Sequence, residues 1–229
     1  MKRGKTYIKK AKGLDRSKTY SVNDGVKKAK ELSYSKFTGT LEVHMDIKVP
    51  KDKEAKSIKG AYSLPHSSGN TDVKIAVFTT ADKEEEAKKA GADFVGLEKL
   101  IKDVQAGSIV FDVAIASPSV MPKIAILGKE LGPKGLMPSP KNGTVTDDIK
   151  GAVEEYKKGK MTFACDDSGV IHLVAGKLEL DDEKLVENVH ACVLAVEDVI
   201  GKPYSQAIDK MHLAPTMGKS VKIDYSREE

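Results

Sequence analysis

Residues 40–49 alternate strictly between apolar and polar side chains, and this pattern most constrains the fold. The apolar positions are Leu41, Val43, Met45, Ile47 and Val49, and a polar or charged residue stands before each of them. Successive side chains of a strand point to opposite faces, so this period predicts a strand with one buried and one solvated face. Its polar face is left free for another role, and the segment 58–64 is a candidate partner strand.

The same period returns after residue 160, in the segments 161–165 and 170–174. The residues between them, 166–169, have the spacing of a hairpin turn. Two further strands are predicted at 211–215 and 220–225. Because a two-stranded sheet is marginal alone, we expect strands from both chain ends to share one sheet. Two helices should cover it, one capped by Ser21 and one over residues 182–200.

The middle of the chain has a different pattern, in which continuous apolar strands alternate with helices. The strands are predicted at 73–78, 94–95 and 111–116, and the helices at 82–90, 97–105, 121–131 and, after a cap at Thr146, up to about 156. Such alternation is typical of a parallel sheet covered on both faces. Breaks rich in Gly, Ser and Lys at 65–70 and 157–160 mark its limits.

These patterns predict an α+β protein with two domains. Residues 1–66 and 158–229 should form a split α/β sandwich domain from both chain ends. Residues 67–157 should form an inserted Rossmann-like, three-layer α/β domain.

The segment 121–145 is the least generic part of the chain. Ile124, Leu127 and Leu131 line one face of the predicted helix, which should end near Gly132-Pro133. Glycines, prolines and lysines then follow so densely that neither helix nor strand can persist. The spacing is not that of a phosphate-binding Walker loop, in which the glycines precede a helix. Without a function of its own, the segment would be a rigid surface turn that ends the helix.

Positive charge is concentrated at the N-terminal end. Residues 1–36 hold twelve Lys or Arg and three Asp or Glu, whereas the rest of the chain holds 26 and 31. Segregation of this kind is an electrostatic signature of nucleic-acid binding, although a charge run is also found on ordinary solvated faces. A membrane surface is a weaker alternative because no strong apolar face accompanies the lysines.

Other site chemistries find little support in the sequence. The two cysteines, Cys165 and Cys192, stand in apolar surroundings typical of buried thiols. The five histidines have no metal-site spacing, so neither a metal nor a cofactor is expected. The chain has no signal peptide and no apolar run of about 20 residues, so we expect it to stay in the cytoplasm.

The run I-x-x-L-G-K-x-L-G-P-K-G-L-M-P-x-P-K-x-G-T-V, which begins at Ile124, resembles the signature of the ribosomal protein L-one family of the large ribosomal subunit, in its bacterial form. Matching segments at 36–43, 63–66 and 216–221 extend the resemblance over nearly the whole chain. It implies a non-enzymatic protein that is monomeric when free and has no membrane partner. Its implied partners are large-subunit rRNA in the mobile stalk, tRNA at the exit site and the mRNA of its own operon, whose translation it would repress.

The resemblance also implies which residues contact RNA. The expected contacts are Lys36, Phe37, Thr40, Glu42, Ser168, His172, Thr216, Met217 and Gly218. The loop after the central helix would be a secondary RNA contact or a structural element, through Lys129, Gly132, Lys134, Gly135 and Lys141. Two departures weaken the match, at Ser67 in the hinge and at Ser168, where the family often has a basic residue.

Each RNA-contact candidate also has an ordinary structural interpretation. Phe37 would suit a core position, Glu42 a solvated strand position, and Met217-Gly218 a turn. The competing function is a hinged two-domain α/β enzyme or small-ligand-binding protein. The chain has neither the G-x-G-x-x-G nor the G-x-S-x-G motif for that role, and a turn accounts for the carboxylate pair Asp166-Asp167 more simply.

Overall fold

The computed structural model describes residues 4–11, 14–15, 18–48, 57–66, 73–106 and 110–225. The strands are β1 Thr40–Ile47, β2 Lys59–Tyr62, β3 Ile75–Phe78, β4 Phe94–Gly96, β5 Val113–Ala116, β6 Met161–Ala164, β7 Val170–Lys177, β8 Ile208–Pro215 and β9 Val221–Ile223. The helices are α1 Lys5–Ala11, α2 Val22–Leu32, α3 Ala81–Lys89, α4 Glu98–Gln105, α5 Met121–Ile124, α6 Gly128–Leu131, α7 Ile149–Lys157, α8 Asp182–Ile200 and α9 Tyr204–Ala207. None of the helices in these ranges is long and apolar enough to cross a membrane.

The chain divides into two compact units. The end unit comprises Met1–Gly69 and Thr162–Glu229, and the middle unit comprises Asn70–Met161. Both units mix helices with sheets, so the predicted α+β class is confirmed.

The end unit is built on a four-stranded antiparallel sheet with the order β7-β1-β8-β9. Strands from both chain ends therefore share one sheet, as the alternating patterns predicted. Helices α2 and α8 pack on one face of it, and the apolar residues of β1 (Leu41, Val43, Met45 and Ile47) are buried on that side. The alternate residues of β1 are only partly buried, so the sheet presents a polar second face.

Capping residues determine where α2 begins and where α8 ends. The Ser21 hydroxyl accepts a hydrogen bond of 3.2 Å from the Asp24 N–H, which makes it the predicted N-cap of α2. Helix α8 ends at Gly201, whose φ of 74° lies in the left-handed region that glycine adopts without strain.

The pairing of strand β2 differs from the sequence interpretation, which offered the segment 58–64 as a partner of β1. Strand β2 pairs with β6 in a separate two-stranded sheet, and not with β1, whose two edges are already taken by β7 and β8. The predicted hairpin between the segments 161–165 and 170–174 is also only partial. A single bridge joins Cys165 to Ile171, and the strands on either side of the turn belong to different sheets.

The middle unit contains a parallel three-stranded sheet with the order β4-β3-β5. Alternate residues of β3 enter two separate cores: Ala76 and Phe78 pack with α4 and the segment 120–131, whereas Ile75 and Val77 pack with α3 and α7. The prediction of a parallel sheet covered on both faces is confirmed.

Two local predictions in the middle unit are wrong in detail. The helix predicted over 121–131 is interrupted by a 3-10 turn at residues 125–127 between α5 and α6, although Ile124, Leu127 and Leu131 are all buried as expected. The cap of α7 is Asp148 rather than Thr146. The carboxylate of Asp148 accepts from the Gly151 N–H at 3.0 Å, and the Thr146 hydroxyl accepts from the Asp148 N–H at 3.1 Å.

Some sequence interpretations concern residues outside the described ranges. These are the strand end at Val49, the lysine-rich loop at 51–56 and the hinge residues 67–70, including Ser67.

Candidate nucleic-acid interface

The start of β1 and the end of β8 are held together by one threonine side chain. The Thr216 hydroxyl accepts from the Thr40 N–H at 2.8 Å and donates to the Thr40 carbonyl at 3.1 Å. The Thr216 N–H also donates to that carbonyl, at 2.9 Å. Two segments that lie 176 positions apart in sequence therefore form one surface.

The turn that follows β8 has little room for larger residues. The Tyr34 N–H donates to the Met217 carbonyl at 3.0 Å, which ties the turn to the segment after α2. A Cβ atom at Gly218 would lie 2.4 Å from the Pro215 side chain and 3.0 Å from the Leu32 carbonyl oxygen. Glycine is therefore required at 218 for close packing, while the Met217 side chain remains 39% exposed.

Phe37 lies on the surface, with 60% of it exposed, so its interpretation as a core residue is wrong. Its carbonyl accepts from the Ser35 hydroxyl at 2.8 Å, and Lys36 beside it is exposed. Gly39 is buried, and a Cβ there would lie 3.7 Å from that of Thr216, so the segment 36–40 runs alongside the Thr216 turn. We call this group the recognition cluster: Lys36, Phe37, Thr40, Thr216, Met217 and Gly218.

Glu42 lies on the polar face of β1, two residues beyond the recognition cluster. Its neighbours across the sheet are Val174 and Ala214, and its side chain is 40% exposed. The Glu42 carboxylate lies 3.7 Å from Nε2 of His44. Glu42 therefore lies between the recognition cluster and the middle of the polar sheet face.

Ser168 and His172 do not join the recognition cluster. Ser168 belongs to the turn at the far end of β1, where the Ile47 N–H donates to the Gly169 carbonyl. Ile47 is seven residues along the strand from Thr40, or about 23 Å at roughly 3.3 Å per residue. His172 lies between the two, opposite His44 on β1.

The turn also accounts for Asp166, as the sequence interpretation proposed. One carboxylate oxygen of Asp166 accepts from the N–H groups of Val170 at 2.7 Å and Ser168 at 2.9 Å. The bond from Val170 is the main reason that the pKa of Asp166 is lowered. Asp166 is thus a turn former.

The candidate loop residues of the middle unit are exposed, and their backbone is closely determined. Lys129, Lys134 and Lys141 all lie on the surface. Gly135 has a φ of 71°, and a Cβ at Gly132 would lie 2.5 Å from the Gly128 carbonyl oxygen. The loop therefore depends on its glycines for its shape, and a secondary RNA contact by its lysines stays a prediction.

Two histidines of the end unit were not among the sequence candidates. His44 and His212 occupy polar-face positions of β1 and β8 and stand directly opposite each other. Burial is the main cause that lowers the pKa of each of them. The alternating pattern of residues 40–49 placed His44 on a polar face, but only the strand register reveals that His212 is its neighbour.

The part of the chain that the structure describes contains no group of three His, Cys, Asp or Glu side chains placed to hold a metal ion. Cys165 and Cys192 are buried free thiols, as their apolar surroundings predicted. Burial raises the pKa of Cys192 to about 12, so this thiol stays protonated at neutral pH.

The architecture defines the class of the chain as a two-unit α+β protein whose polar sheet face carries residues from both chain ends. Its residues 27–219 match the model of the ribosomal protein L1p/L10e family, and the chain belongs to that family. The family is one of ribosomal proteins rather than enzymes, so the prediction of a non-enzyme is confirmed.

Relatives of similar length support the assignment. The chain is similar to the large ribosomal subunit protein uL1 of Kosmotoga olearia, with 42% identity over 230 residues that cover 99% of this chain and 98% of the relative. It is 44% identical over 225 residues to the protein of that name from Leptospira biflexa, covering 98% and 96%. The protein of that name from Thermobifida fusca is 42% identical over 228 residues, covering 98% and 95%.

Proposed function

We propose that this chain is a structural constituent of the large ribosomal subunit and binds large-subunit rRNA through the recognition cluster. The observation that carries the proposal is the Thr40–Thr216 contact, which joins an exposed aromatic ring, a lysine and a glycine turn into one surface. Family membership and the uL1 relatives support the choice of RNA. A ribosomal protein of this kind works in the cytoplasm.

The cluster offers a different type of contact at each position. Lys36 would neutralise a backbone phosphate, which adds affinity without sequence information. The exposed ring of Phe37 would stack on an unpaired base, and this is how proteins commonly read splayed RNA. The close-packed turn at Gly218 would let RNA approach the backbone. Beside the cluster, Glu42 would accept a hydrogen bond from a 2′-hydroxyl or a base amino group.

We also propose that the end unit alone carries primary RNA recognition. The residues of the cluster and most of the excess positive charge lie in it. The middle unit has its own sheet and its own two cores, which supports an independently folding, Rossmann-like insertion at about residues 67–157. Its exposed lysines would then make secondary RNA contacts at most.

Three finer roles are proposed from the family resemblance. Bound at the stalk region of the rRNA, the chain would form the mobile stalk beside the exit site and assist the release of deacylated tRNA. Free of the ribosome, it would bind the mRNA of its own operon and repress translation. Both RNA targets would use the recognition cluster, so ribosomal and messenger RNA would compete for it.

Co-sedimentation tests the proposed ribosomal role. We expect the tagged chain, expressed in a bacterial host, to travel with large subunits and whole ribosomes in a sucrose gradient and to stay with large subunits when low magnesium separates the two. A tagged protein of similar size and charge from outside the ribosome serves as the control. Recovery of the chain only at the top of the gradient would contradict the proposal.

A further inference from the structure

Three histidines stand side by side across the middle of the end unit's sheet. His44 on β1 is in register with His172 on β7 and with His212 on β8, so one histidine occupies each of three adjacent strands. All three lie on the polar face of the sheet, away from α2 and α8. The Nδ1 atoms of His44 and His172 are 2.7 Å apart and their rings meet edge to face, with centroids separated by 4.9 Å. We call this set the histidine row.

The histidine row forms the floor of an open groove of about 720 Å³. Lysine side chains from three parts of the unit, Lys18, Lys219 and Lys222, line the same groove, and Gly218 of the recognition cluster stands at its edge. Among the residues that the structure describes, Asp15 is the one acidic residue that lines it. The groove is therefore predominantly cationic and continuous with the surface proposed to bind RNA.

Resting on the proposed function, we propose that this groove binds backbone phosphates of the RNA and that His44 and His212 take up protons as it does so. A row of imidazoles between lysines suits a linear series of negative charges. Protonated imidazole adds a charge and a second N–H donor for phosphate oxygens. Neutral imidazole offers neither the charge nor the second donor.

Burial and the charged groups around the row determine the direction in which the pKa values of His44 and His212 shift. Burial lowers the pKa of His44, with the nearby His172 adding to the shift and Glu42 opposing it. Burial also lowers the pKa of His212, where Asp46 opposes the shift and Lys222 and Lys210 add to it. Within the described residues, the other titratable or charged groups that face the row or line its groove are Tyr7, Asp15, Lys18, Asp166 and Lys219.

The lowered pKa values of His44 and His212 favour the neutral imidazole in the free protein. A phosphate placed in the groove favours the charged imidazolium and raises the pKa of each histidine. A group whose pKa is higher in the complex binds a proton on association, so affinity increases as the pH falls through that range. The RNA phosphates keep their charge throughout, and the change therefore comes from the protein.

We expect affinity for a ribosomal stalk RNA fragment to increase about tenfold between pH 8.0 and 6.0, which is the combined effect of a pKa increase of about one unit at each of the two histidines. Titrations at constant ionic strength with EDTA would measure it. The variant carrying both His44→Gln and His212→Gln should lose most of this dependence, because glutamine has no imidazole to protonate. His66→Gln is the matched control: His66 pairs with Glu187 of α8, on the helix side of the sheet, and should keep the wild-type dependence.

Affinity of the unaltered chain that stays constant between pH 8.0 and 6.0 would overturn the proposal, as would an unchanged dependence in the folded double variant. NMR titration of the histidine ring protons, with and without RNA, gives a test that needs no variant. The pKa values of His44 and His212 should rise when RNA is added, and unchanged values would also overturn the proposal. Failure of the unaltered chain to bind stalk RNA at any pH would instead contradict the proposed function.

Discussion

Replacing Phe37 with alanine is expected to weaken binding to stalk rRNA by about ten- to a hundredfold without lowering the melting temperature. Phe37 is 60% exposed, so the loss of its ring removes little packing. Stacking of one base on an aromatic side chain contributes about 1–3 kcal/mol, which sets the size of the effect. Filter-binding titration and thermal unfolding of the same preparations measure the two quantities.

Two further variants at this position separate stacking from simple hydrophobic contact. Phe37→Trp keeps a flat aromatic face and should retain most of the affinity. Phe37→Leu keeps apolar volume without that face and should behave like Phe37→Ala. Equal affinities for the Trp and Leu variants would show that Phe37 does not stack on a base.

Thr216→Val is expected to weaken binding to the cognate RNA by about 1–3 kcal/mol, the scale of leaving a polar partner unsatisfied. The valine keeps the shape of the side chain but removes the hydrogen bonds of 2.8 and 3.1 Å to the Thr40 backbone. Because the hydroxyl is already engaged with Thr40, it acts by positioning the start of β1 against the Met217-Gly218 turn. Binding to unrelated RNA should change little, since phosphate contacts do not require this alignment.

Thr162→Val provides the control for the loss of a threonine hydroxyl. Thr162 is exposed on β6, in the two-stranded sheet, and lies outside the recognition cluster. The Thr162→Val variant should bind both the cognate and the unrelated RNA with the affinity of the unaltered chain. An equal loss of cognate and unrelated RNA binding in Thr216→Val would contradict a role in specific recognition.

The sequence predicted best those elements whose signals are local. The alternation in residues 40–47 determines β1, and the helix 182–200 begins and ends where expected, since acidic residues open it and glycine closes it. Strand β2 was assigned to the wrong partner because a strand of four residues carries no information about its neighbour. Apolar spacing does not predict the break between α5 and α6, because the 3-10 turn there keeps the same side chains buried.

The sequence likewise predicted some features of the candidate site and not others. The family resemblance supplied Phe37, Thr40 and Thr216, but their exposure and hydrogen bonds depend on two chain ends that meet only in the folded sheet. The histidine row cannot be predicted from the sequence because it depends on the register of three strands. Ser168, which the resemblance grouped with the others, lies at the opposite end of β1.

Specific RNA recognition by the end unit is tested most directly by one filter-binding comparison. The full chain and a two-segment protein with residues 67–157 replaced by a short Gly/Ser linker are each titrated with a stalk rRNA fragment and with unrelated RNA of equal length. We expect both proteins to prefer the stalk fragment and to bind it within about tenfold of each other, or roughly 1.4 kcal/mol. A folded two-segment protein with a larger loss, or a full chain that binds both RNAs equally, would contradict this assignment.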